Sequence, residues 1–424
     1  MSSTTTKGAS SSWADLPPDL LGLVLRRLHS LADRARVGAV CRPWRSGARL
    51  HRDNLPPAMP WVALGNKAYL DVVNGDAARR LSLRVPAKAR CRGSDGHLLF
   101  LTRAATGECF LADPFSGAVL PVADLSSFIE ERTRGETFSR GFGLSLSLRV
   151  HKAVLLWPPR HGSSSELEPV VAAMVKNSTS RYNTTVFVCR AGTDTAHTGV
   201  DKESYGAMAV DLPLVKDVAF FRGDLYALST RDELLAVRLG EGPRGNPAIT
   251  TAVESGIEVP DDGECRSHAH DGIRPAGDVR LVQSGDQLLM LRRWVIDDGG
   301  DSTSSFDVYE ADFGASPCRW RPVSGLRGRA LFLGRCCSKS VPVGDGHYGA
   351  REDCIYFVRH AGDSGIYDMD YRRVSPLVPD AKVLRRHGRS WNPTWVFPDQ
   401  SIIEAHYYYL KKSLAQGAWV AWRS

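Results

Sequence analysis

Cys265, His268 and His270, with Asp271 beside them, form the one cluster in the chain that has the composition of a metal site. Zinc needs four ligands in a fixed tetrahedron, and structural sites bring them as two close pairs. The segment DDGECRSHAHDG offers no second pair, so it reads as an exposed polar loop. Cys336-Cys337-Ser338 raises the possibility of a thiol nucleophile, which requires a lowered pKa and a positioned base. The run LFLGRCCS is apolar on its leading side and reads instead as a core strand with packed thiols. The carboxylate pairs Asp261-Asp262 and Asp297-Asp298 sit among glycines, where they are solvated, whereas acid–base work needs a desolvated carboxylate beside a partner. Gly141-Phe142-Gly143 precedes the strand-like SLSLRV and opens no helix, so it lacks the helix terminus on which phosphates rest. Arg385-Arg386-His387-Gly388-Arg389 is compatible with nuclear import or an anionic partner but reads as a solvated loop. No G-x-S-x-G, GxxxxGK[ST] or H-E-x-x-H motif occurs. No catalytic residue, no metal and no cofactor are therefore expected.

With no reaction to position, the informative stretch is DLPPDLLGLVLRRLHSLADRARVGAVCRPWRSGAR, from Asp15 to Arg49. Pro17 and Pro18 suit the first turn of a helix running to about Leu28, because that N–H would lack a partner anyway. Leu20, Leu21, Val24, Leu25 and Leu28 recur at the spacing of one apolar stripe, with Leu23 outside it. Ser30 suits the cap of a second helix through Arg36, and Pro43 the first turn of a third carrying Trp44. Three such short helices bury too little to support themselves. A docking partner is the economical explanation.

These residues carry a family resemblance. Leu16-Pro17, Leu20-Leu21, Val24-Leu25, Leu28 and Val40-Cys41-Arg42 with Trp44 resemble the F-box, the motif that binds the Skp adaptor of cullin-based ubiquitin ligases. The resemblance implies that Leu16, Pro17, Leu20, Val24, Leu28, Val40 and Trp44 contact the adaptor or hold the helices that do. Gly22 departs from the pattern, at a helix-interior position where glycine costs roughly 1 kcal/mol against alanine.

The chain has 424 residues, 43% of them hydrophobic, enough for a short module and one large domain. No apolar run is long enough to span a bilayer, and MSSTTTKGASSS has no signal-like core. Nine cysteines form neither a disulfide framework nor a CxxC pair and read as reduced thiols, in cytoplasm or nucleus. The net charge of +7 is partly explained by Arg26, Arg27, Arg34, Arg36, Arg42, Arg45 and Arg49. These suit solvated faces and attraction to an acidic protein partner; neither nucleic acid nor membrane is expected.

Residues 1–12 read as a disordered tail, 13–50 as the F-box, 51–60 as a proline-stiffened linker and 61–424 as a β-rich domain. In that domain a Gly- or Asp-containing turn leads repeatedly into short apolar strands, as in DGHLLFL at Asp95, RGDLYAL at Arg222, SGDQLLML at Ser284 and REDCIYFV at Arg351. A degenerate copy starts at Val150. A period of roughly 50 to 65 residues built of short strands is that of propeller blades, each too small to cover its own faces. Five to seven blades fit, six being the expectation; a pair of β-sandwiches is the alternative that needs no repeat. Trp395-Val396-Phe397 is expected to pair with Trp61 to Leu64 and close the ring. The polar stretches His197 to Glu203 and Asp297 to Ser305 are expected as surface loops.

The same segments resemble the C-terminal domain of a large plant F-box family, a kelch-like or propeller-like domain of unknown function of the DUF295 type. The fold expected is thus mainly β with a small all-α N-terminal module, a three-helix F-box followed by a propeller of about six blades. The function implied is that of a substrate-recognition subunit of an SCF-type E3 ubiquitin ligase, not itself an enzyme, with a Skp adaptor, a cullin-RING ligase and a target protein as partners. A propeller enzyme or glycan-binding propeller with a helical cap is the alternative.

Overall fold

The computed structural model describes residues 13–398, apart from 65–68, 74–87, 104, 140–147, 158–167, 178–182, 193–207, 243–246, 255–256, 258–272, 299–300, 317, 345–348, 361–362 and 379–392. The expected tail at 1–12, the Cys265 cluster, Asp261-Asp262, the Gly141 run, the His197 stretch and the Arg385 run lie outside the described residues.

Three helices open the chain, α1 (Pro18–Arg27), α2 (Leu31–Val40) and α3 (Arg42–His51). Pro18 and Pro43 stand in first turns, where the absent N–H costs nothing. The Asp33 N–H donates to Ser30 Oγ at 3.3 Å, which caps α2. That helix runs on past Arg36 and ends where Cys41 turns extended to begin α3.

Six sheets follow. The first four blades occupy 89–121, 148–213, 215–254 and 273–322, each a four-stranded antiparallel sheet. Gly96, Gly223 and Gly285 carry positive φ at the first hairpin of the first, third and fourth blades, a conformation that glycine adopts without strain. The fifth blade, 329–375, departs from the pattern. Its chain reverses at Gly334, whose N–H donates to the Cys337 carbonyl at 2.8 Å, so that Ser338–Pro342 takes the sheet edge and Arg329–Leu333 runs parallel to Cys354–His360.

The sixth blade is made from both ends of the domain. Trp61–Ala63 pairs with Tyr69–Asp71 on one side and with Thr394–Val396 on the other, in the register Trp61 with Val396 and Val62 with Trp395. The expected closure is therefore present. Successive strand residues face opposite neighbours. Trp61 and Ala63 thus pack with Leu99, Leu101 and Phe110 of the first blade, while Val62 and Trp395 pack with Phe332 and Tyr356 of the fifth. Four further apolar clusters fill the remaining spaces between blades. Six blades, with a core in each gap, complete the ring.

One expected surface loop is instead paired strand. Asp297 to Ser305 is the tip of a long hairpin, with Asp297 opposite Ser302 and Asp298 opposite Asp301. A fourth helix, α4 (Ala123–Ser139), had no counterpart in the sequence reading; it lays Leu125, Phe128 and Ile129 over the core between the first two blades.

Trp395 is fully buried, donates from Nε1 to the Leu333 carbonyl at 3.1 Å and meets the Phe332 ring edge-on at 5.0 Å between centroids. Trp395→Ala is expected to cost about 3–5 kcal/mol in denaturant unfolding. A loss below about 1 kcal/mol would contradict closure through this strand.

Candidate functional site

The helical module divides its apolar residues between two faces. Leu21 and Leu25, four apart and each 1% exposed, point inward onto Leu55, with Leu16, Leu28, Val37, Trp44 and Ala48 packed around them. Leu20, Leu23 and Val24 recur on the other face and stay 48%, 57% and 44% exposed. The single stripe expected over Leu20 to Leu28 is thus split. Leu23, set aside on its spacing, belongs to the exposed set, and its i, i+3 relation to Leu20 is the signal that finds it. Val40, at the end of α2, is 64% exposed.

Of the seven residues singled out from the sequence, Pro17, Leu20, Val24 and Val40 lie at the surface, and Leu16, Leu28 and Trp44 are partly enclosed in the module's interior. Trp44 donates from Nε1 to the Trp13 carbonyl at 2.8 Å, which draws the start of the chain over α3. Gly22 also finds its reason. A Cβ there would meet the His51 ring at 2.9 Å, so the glycine allows α3 to approach α1.

The exposed face is free because the propeller takes hold of the module elsewhere. Leu31 and Ala32, at the start of α2, share a core with Ala58, Trp61, Tyr69 and Phe115. The Ser30 hydroxyl donates to the Asp71 carboxylate, and the Met59 N–H donates to the His29 carbonyl at 2.9 Å. Arg34, expected among the solvated arginines, is buried. Its Nε donates to the Leu28 carbonyl at 2.7 Å and Nη1 to the Pro56 carbonyl at 2.6 Å. Burial lowers its pKa to about 10, so it stays charged at neutral pH. The segment expected as a linker is shared between the two parts. Leu55 enters the module's core, while Ala58 and Met59 enter two different propeller cores.

On α1 itself Arg26 and Arg27 are exposed in the last turn, where cations complement the helix dipole, and Asp19 is exposed in the first, where an anion does. An exposed apolar patch of this kind marks a surface suited to a protein partner.

The thiols Cys336 and Cys337 are buried, in the reversal of the fifth blade and not in a strand, and burial pushes the Cys336 thiol up, away from a reactive thiolate. Among the described residues no group of three or more His, Cys, Asp or Glu side chains is placed to hold a metal ion.

A family model described as KIB1-4 beta-propeller matches residues 71–368, and one described as F-box-like matches residues 13–51. An F-box protein of Arabidopsis thaliana is 26% identical over 403 residues, covering 92% of this chain and 98% of its own length. Another Arabidopsis thaliana F-box protein is 43% identical over 47 residues, 10% of this chain and 14% of its own. The N-terminal domain of Nup159 aligns with 62% of this chain and 58% of its own at 9% identity, with a TM-score of 0.26.

The two faces of α1 respond differently to truncation. Leu20→Ala with Val24→Ala is expected to leave the unfolding free energy within about 0.5 kcal/mol per site. Leu21→Ala or Leu25→Ala should cost about 2–5 kcal/mol. Chemical denaturation of the full chain checks both, and equal losses on the two faces would contradict the division.

Proposed function

Because the chain belongs to the KIB1-4 beta-propeller family and carries an F-box-like module, we propose that it is the substrate-recognition subunit of an SCF-type ubiquitin ligase. The module docks a Skp adaptor and, through it, a cullin-RING ligase, while the propeller holds the target protein. The observation that carries this reading is the row of exposed apolar side chains on α1, Leu20, Leu23 and Val24, beside a core that is already complete without them.

In this role Pro17, Leu20, Leu23, Val24 and Val40 touch the adaptor, and Leu16, Leu28 and Trp44 hold the helices that present them. Each leucine buried on docking contributes roughly 1.5–3 kcal/mol before association costs are subtracted. The chain performs no chemistry; it supplies proximity. The clamp through Ser30, Leu31 and Arg34 gives that proximity a fixed geometry, since the target and the adaptor then sit on one rigid support. The free thiols among the described cysteines suit the reducing cytoplasm or nucleus, where such a ligase would act.

Adaptor capture by the full chain tests the reading. Leu20→Ala, Leu23→Ala and Val24→Ala together are expected to weaken it by about tenfold or more, because the three truncations remove apolar area that docking would bury. Full retention by the triple variant would overturn the assignment.

A further inference from the structure

We draw no further inference here: the strongest candidate, the exposed ring of Trp157 just beyond the first strand of the second blade, whose indole N–H is held by the Asp95 carboxylate at 2.9 Å, is an unpartnered apolar surface, and nothing in the structure shows what covers it.

Discussion

The seating of α2 on the closing blade is the contact from which the rest follows. A module of three ten-residue helices has more apolar surface than it can enclose, and something must cover the remainder. Leu31 and Ala32 take one part into the propeller core beside Trp61 and Tyr69. Leu21 and Leu25 take another onto Leu55. Helical periodicity then leaves Leu20, Leu23 and Val24 on the side that neither core reaches.

That seat is only as firm as the ring beneath it. Trp61 stacks on Tyr69 with 4.0 Å between centroids, pairs across the closure with Val396, and forms part of the surface under Leu31. Closure and docking therefore share a residue, and opening the ring would loosen the module. Near the axis, Asp217 ties three blades together, binding Lys152 of the second and the Leu281 N–H of the fourth from its own place in the third. A buried ion pair contributes little net stability, since desolvation offsets its attraction, but losing one partner strands a charge.

Much of this was legible because it is written in local chemistry. Prolines at helix starts, Ser30 as a cap and the turn glycines at 96, 223 and 285 each carry a backbone requirement that a sequence displays directly. The aromatic run at Trp395 betrayed the closing strand, since three large apolar residues near a chain end need a core to join. Other features depend on partners distant in sequence. Arg34 looks like any surface arginine until the Pro56 carbonyl is brought beside it. The helix α4 mixes charged and apolar residues with little periodicity, so the β repeat around it masked it. Cys336 and Cys337 were expected to be buried, but the reversal that buries them depends on a strand crossing that no neighbouring residue announces.

The clamp through Ser30, Leu31 and Arg34 thus holds the exposed apolar face of the helical module in a fixed place on the propeller. A hydrogen-exchange footprint of the full chain with and without a purified Skp adaptor addresses the central claim most directly. New protection is expected in peptides covering 16–28 and 40–51, with the propeller unchanged. Protection confined to the blades, or none within α1, would contradict it.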